Sequence, residues 1–150
     1  MTASESVDRV ALDACERGFW GEIWDSVPAQ IAAARGIELR RFGPIQASIC
    51  RALPDAHMLN LVLGAAEAGA VEEGHLEAAV GWAESQGVDF YVPLTPSLAG
   101  SSAAEQWLAR SGYEPGYAWM KFVRDPHPPR FAEPAGVEVV ELEGEEEPFG

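Results

Sequence analysis

The sequence predicts one α/β domain, in which helices flank a mixed, mostly antiparallel central sheet. Three observations lead to this prediction. The chain has 150 residues, 47% apolar and 23% charged, which is enough for one hydrophobic core. Segments with the apolar spacing of helices alternate with short segments of strand composition. Glycine and proline separate these segments, and the resulting order is ααβββαβαβ.

Two helices are predicted in residues 5–35. Apolar residues at helical spacing, with Ser4 and Ser6 as caps, predict an amphipathic helix over 5–17 that Gly18 ends. Pro28 then opens a second helix, which stops at Gly36.

Five strands and two more helices are predicted in residues 37–124. Residues 37–42 alternate apolar and polar side chains, as a half-buried strand does. Residues 58–63 are apolar enough to form a strand buried on both faces. Between these two segments, residues 47–52 form another predicted strand, and after them residues 64–74 form a loop of small residues. The elements predicted after this loop are helices over 75–86 and 101–111 and strands over 88–94 and 117–124.

The charge distribution predicts a domain boundary after residue 125. The formal net charge is −14, yet residues 131–150 hold seven Glu and no Lys or Arg. Three prolines within 125–130 favour an extended linker over 126–135. In the acidic tail, 136–150, residues 137–142 have the composition of a strand but nothing after them to pair with. This strand begins a second unit, folds back onto the body or pairs with another chain.

Composition excludes several classes of function. With 10 basic against 24 acidic residues, the chain would repel a nucleic-acid backbone. No apolar run has the length of a membrane span and no signal peptide is present, which predicts a cytoplasmic protein. Cys15 and Cys50 are expected to be reduced, buried thiols. The three histidines lack ligands at suitable spacing, so no metal site is predicted.

Four segments carry a further resemblance: MLNLVLG at 58–64, DFYVPLTP at 89–96, WLARSGY at 107–113 and AWMKFVR at 118–124. In this order they resemble the N-terminal half of proteins with two GCN5-related N-acetyltransferase (GNAT) units in tandem. The resemblance covers residues 30–125 and implies a GNAT-like sheet whose last strands splay apart. It also implies acyl transfer from acetyl-CoA to a small-molecule or protein amine, and a second GNAT-like unit beginning within 136–150.

The resemblance places the acetyl-CoA site at the exit of the central strand, where Leu63, Gly64 and Gly74 are the candidate cofactor-binding residues. The family binds the pyrophosphate with backbone N–H groups of a Gln/Arg-x-x-Gly-x-Gly/Ala loop at a helix N-terminus. With Gly74 as the first glycine of that loop, Val71 replaces Gln/Arg and Leu76 replaces the second small residue.

Two acidic residues, Glu72 and Glu73, also stand inside this loop. Carboxylates beside a pyrophosphate weaken its binding, so we interpret them as charges that stabilise the helix dipole.

A second departure lies in the helix before Gly112. The family often has Asn-x-x-Ala-x-x-x-Tyr there, and the Tyr hydroxyl can protonate the departing CoA thiolate. Here Ala104 agrees, but Ser101 takes the Asn position and Leu108 the Tyr position. Leu108 has no proton to donate, and the neighbouring Trp107 is interpreted as a core residue.

Three hypotheses follow. In the first, the chain is the non-catalytic N-terminal half of a tandem N-acetyltransferase, with Phe19, Trp20 or residues 118–123 at the contact between units. In the second, the chain is itself an acetyltransferase that binds acetyl-CoA through backbone groups and uses Glu67 as the catalytic base. In the third, it is a free-standing acidic protein-binding module without enzymatic activity.

Overall fold

The computed structural model describes residues 8–119 and 121. The described residues up to Ala118 form one compact unit, and Trp119 begins a second. The predicted linker at 126–135 and the predicted strand at 137–142 lie outside the described residues.

The compact unit has the mixed α/β composition that the sequence predicts. Its three strands form an antiparallel sheet in the order β1-β2-β3. The elements in chain order are α1 (Arg9–Asp25), α2 (Ala29–Arg35), β1 (Ile37–Phe42), β2 (Ile45–Cys50), β3 (Leu61–Leu63), α3 (His75–Glu84) and α4 (Ser101–Arg110).

The first helix begins later and ends later than predicted. Asp8 caps α1 by accepting hydrogen bonds from the N–H groups of Val10 and Ala11. Gly18 does not end the helix, because an exposed helical glycine costs only about 1 kcal/mol. Continuing the helix to Asp25 buries Trp24, and this burial outweighs that cost. The second helix agrees with the prediction: it follows Pro28, and Gly36 ends it in the left-handed conformation.

Four predicted strands are shorter, shifted, absent or only partly within the described residues. β2 starts two residues earlier than predicted, directly after the Gly43-Pro44 turn. Only the last three residues of the predicted strand at 58–63 form β3. Residues 88–94 make a single parallel bridge, between Tyr91 and Leu61, in place of a strand. Residues 117–119 are not in a strand, and 122–124 lie outside the described residues.

Helices pack on both faces of the sheet. Ile45, Ala47 and Ile49 of β2 face one side and join α3 in the hydrophobic core, which includes Leu76 and Val80. The other face of β2 carries polar groups toward α1. There Gln46 Nε2 donates to the Arg17 carbonyl, 3.3 Å away.

The two cysteines differ in environment, and the prediction of two buried thiols is half wrong. Cys50 is buried at the end of β2, whereas Cys15 is exposed on α1. Cys15 lies on the solvent-facing side of α1, whose other side packs on the sheet. The apolar spacing of the sequence alone did not show on which side of the helix residue 15 lies.

Candidate functional site

The candidate site is built around the exit of β3. Leu63 is buried at the end of that strand, and Gly64 turns the chain at φ +89°. A Cβ on Gly64 would lie 2.7 Å from the Pro44 carbonyl oxygen and 2.8 Å from Arg17 Nη1. Glycine is therefore required here by backbone conformation and by contacts within the chain itself.

Glu67, the predicted base, is held in an ion pair. Its Oε1 accepts from Arg17 Nη2 at 2.7 Å, and Arg17 Nη1 also donates to the Pro44 carbonyl at 2.9 Å. The Arg17 and Glu67 side chains are only 18% and 26% exposed. A general base needs a carboxylate oxygen that can reach the proton of the substrate. Glu67 Oε1 instead accepts from Arg17 and so links α1 to the loop after β3.

The start of α3, where a pyrophosphate would bind, is closed by internal hydrogen bonds. The N–H groups of Glu73, Gly74 and Leu76 donate to the carbonyls of Gly69, Val71 and Ala70. Gly74 adopts the left-handed conformation at φ +75° and supplies no side-chain cap. The Glu73 carboxylate contacts His75 Nε2 at 3.0 Å, which places an acid beside the helix start.

The predicted departures in α4 have structural roles. Leu108 is buried, and its carbonyl accepts from the N–H of Tyr113. Ala104 is fully buried in the core, and Trp107 packs against that core as predicted. Ser101 is the first residue of the helix.

β3 and the segment around Tyr91 pair in parallel at a single bridge, between Leu61 and Tyr91. Val62 N–H donates to the Tyr91 carbonyl at 2.9 Å, and Tyr91 N–H donates to the Asn60 carbonyl at 3.0 Å. Further along, Gly100 N–H donates to the Ala66 carbonyl at 3.0 Å, so a loop spans the interval between these bonds.

A polar stripe of α1, defined by Arg9, Asp13 and Arg17, binds the segment after β3 and the segment after Tyr91. Asp13 is buried and accepts from the Thr95 hydroxyl at 2.5 Å. Arg9 donates to the Pro96 carbonyl and to Ser97 Oγ. This stripe is not among the residues predicted from the sequence, although spacing at i, i+4 and i+8 places its members on one helix face.

A shallow groove of about 310 Å³ is lined by none of the predicted site residues Leu63, Gly64, Glu67 and Gly74. It is lined by His57, Val88, Asp89, Phe90, Tyr91 and Tyr113. The Tyr113 hydroxyl donates to Glu84 Oε1 at 2.7 Å. Burial and this hydrogen bond raise the pKa of Tyr113 above its ordinary value.

We expect Tyr113 to make stability fall at alkaline pH. The native state favours the neutral hydroxyl, so its contribution is complete below about pH 10, the pKa of an unfolded tyrosine. As pH rises further, the unfolded state ionises first and the free energy of unfolding decreases. Urea unfolding from pH 8 to 11 should show a steeper loss for the native sequence than for Tyr113→Phe. Parallel curves for the two proteins would contradict this expectation.

We also expect Glu67→Gln to act on stability and not on chemistry. The amide oxygen can still accept from Arg17, but the charge of the ion pair is lost, which should lower the free energy of unfolding by about 1 kcal/mol. The exposed Glu72→Gln is the matched control and should stay within about 0.5 kcal/mol of the native value. Unchanged stability together with lost turnover would support Glu67 as a catalytic base.

Among the described residues, no group of three or more His, Cys, Asp or Glu side chains could hold a metal ion. None of the described helices is both long enough and apolar enough to cross a membrane. No protein-family model, curated protein or solved structure matches the chain.

Proposed function

We propose that these residues are the non-catalytic, GNAT-like N-terminal unit of an N-acetyltransferase that transfers an acyl group from acetyl-CoA to an amine. In this proposal the unit does not bind acetyl-CoA; it supports a second GNAT-like unit and helps to shape the site for the acceptor amine. A single parallel bridge in place of a longer strand pair, between Leu61 and Tyr91, is consistent with the splayed strands that the resemblance implies.

The observation that carries the non-catalytic part is the ion pair between Glu67 and Arg17. This ion pair holds the carboxylate of Glu67 against α1. In addition, three backbone N–H groups at the start of α3 donate to carbonyls within residues 69–71. Binding a pyrophosphate there would require these hydrogen bonds to break and an anion to approach Glu73.

The direct test is isothermal titration of acetyl-CoA into the 150-residue chain, at low and at moderate salt. We expect no binding up to about 1 mM, a concentration that corresponds to about −4 kcal/mol. Micromolar binding would contradict the proposal and favour the hypothesis that this chain is itself an enzyme.

A second measurement addresses the acyltransferase part. Release of the CoA thiol from acetyl-CoA would be followed with a panel of primary amines. We expect no release of the CoA thiol with the 150-residue chain alone. We expect release with a protein in which these residues are joined to a catalytic GNAT-like unit. If the joined protein also releases none, the acidic protein-binding module becomes the better hypothesis.

That second candidate is favoured by one group of observations. The chain has 24 acidic against 10 basic residues, and Phe19 of α1 is 57% exposed next to the partly exposed Trp20. An exposed aromatic pair on an acidic domain is typical of a protein-binding surface.

A further inference from the structure

Within residues 8–119, no strand pairs with the outer edge of β1. Among the described residues, β1 is the outer strand, with β2 on one side only. The N–H of Arg51 donates to the carbonyl of Gly36 at 3.1 Å, and this bond sets the alternation of the antiparallel ladder. Backbone groups therefore point toward β2 at every second position, and those that point away belong to Ile37, Leu39 and Arg41.

The side chains of β1 place opposite charges on one face of this edge. Glu38 and Arg40 lie on the face covered by α3, since Arg40 stacks 5.1 Å from the centre of the Trp82 ring. Glu38 accepts a hydrogen bond from Arg51, which lowers the pKa of Glu38 and keeps it ionised at neutral pH. The side chains of Arg40 and Glu38 are 55% and 35% exposed, so both charges are accessible from solvent.

We propose that β1 pairs with β1 of a second copy of this chain, antiparallel across a two-fold axis at Leu39, to form a continuous six-stranded sheet. Such a dimer is independent of the acyltransferase function proposed above. In a two-fold pair of this kind, opposite residues lie on the same face of the sheet.

With the axis at Leu39, an apolar pair lies at the centre of the interface and opposite charges lie next to it. Leu39 faces Leu39 of the second copy, and Ile37 faces Arg41, at positions where the outward backbone groups exchange hydrogen bonds. Glu38 then faces Arg40 of the second copy, in a pair without backbone hydrogen bonds. Such pairs have Cα atoms only about 4.5 Å apart, so the opposite charges come close.

The neighbouring registers are unfavourable. Moving the axis to Glu38 places two carboxylates opposite each other, and moving it to Arg40 places two guanidinium groups opposite each other. Like charges directly across a strand pair are destabilising. The charges on β1 thus disfavour the neighbouring registers, just as charges on edge strands generally disfavour pairing. Between two copies of β1, they favour the register centred on Leu39.

The test is sedimentation velocity of the 150-residue chain from low micromolar concentration to about 500 μM. We expect a monomer–dimer equilibrium. Glu38→Arg and Arg40→Glu should each weaken the dimer at least about tenfold, or about 1.4 kcal/mol. The double variant with both changes restores the opposite charges in the same register and should recover most of the affinity. Arg41→Gln is the control on the same strand, because it leaves the pair between Glu38 and Arg40 intact.

A cross-linking experiment tests the axis directly. In a Cys15→Ser background, Leu39→Cys places two thiols opposite each other at the axis and should form a disulfide-linked dimer on mild oxidation. Arg41→Cys in the same background faces Ile37 and should not. Circular dichroism would verify that each variant is folded. A native chain that stays monomeric throughout the concentration range would overturn the proposal. So would a dimer that the charge changes do not affect, or equal cross-linking at both positions.

Discussion

Asn60→Ala is expected to lower the free energy of unfolding by about 3 kcal/mol. The Asn60 side chain is fully buried, and all of its hydrogen-bonding groups are used. Its Oδ1 accepts from the buried N–H of Cys50 at 2.8 Å. Its Nδ2 donates to the carbonyls of Leu53 and Pro54, each at 3.1 Å. Alanine removes these bonds at once and leaves buried groups without partners. Urea unfolding with an unchanged m-value would measure the loss.

Asn60→Asp provides a test of the same hydrogen bonds with its own pH dependence. A carboxylate keeps the acceptor for Cys50 but turns a second oxygen toward two carbonyls, where a donor is needed. Burial and these carbonyls should raise the pKa of the introduced group. Its destabilisation relative to the native chain should therefore be largest at neutral pH and decrease as pH falls and the group protonates. A difference that does not change with pH would show that the amide donor is unimportant.

Gly100→Ala is the second change with a large expected effect, again about 3 kcal/mol. Gly100 lies just before α4, and its N–H donates to the Ala66 carbonyl at 3.0 Å. An added Cβ would overlap the carbonyl oxygen of Glu67 and lie 2.9 Å from that of Ala66. These are backbone atoms, so relief requires the loop after β3 to move away from α4.

Gly18→Ala is the matched control for this substitution. Gly18 is an exposed residue within α1, and a Cβ there would meet no atom within 4 Å. Alanine should raise the free energy of unfolding by about 0.5–1 kcal/mol, because glycine is unfavourable inside a helix. Thermal unfolding should thus move in opposite directions for the two variants. A Gly100→Ala protein as stable as the native one would mean that α4 does not pack closely against the loop.

The segment at 58–63 explains why strand prediction succeeded only in part. Its apolar composition predicts a buried strand, and β3 is indeed buried along its whole length. Asn60, however, uses its side chain to bind the turn at 53–54 and its carbonyl to bind Tyr91. The regular strand therefore begins only after Asn60, whose hydrogen bonds to other segments are not contained in the local periodicity.

The candidate site, too, could be predicted only in part from the sequence. The sequence alone indicates that residues 64–74 lack the pattern of a pyrophosphate-binding loop and that Leu108 has no proton to donate. Glu67 also remained a candidate base at that level, because the sequence does not show whether a carboxylate forms an ion pair. Arg17 and Glu67 are 50 residues apart, and only the packing of α1 brings them together.

The sequence by itself determined the α/β class, the order of the main helices and the turns at Gly36 and Gly43-Pro44, because local spacing and backbone preference set these features. Only the tertiary structure decided that α1 continues through Gly18, that residues 88–94 make a single bridge, and that Glu67 pairs with Arg17. Each of these outcomes depends on burial or on a hydrogen bond between distant segments. Such contacts exist only after the chain has folded, and their free energies exceed the local preferences that they override.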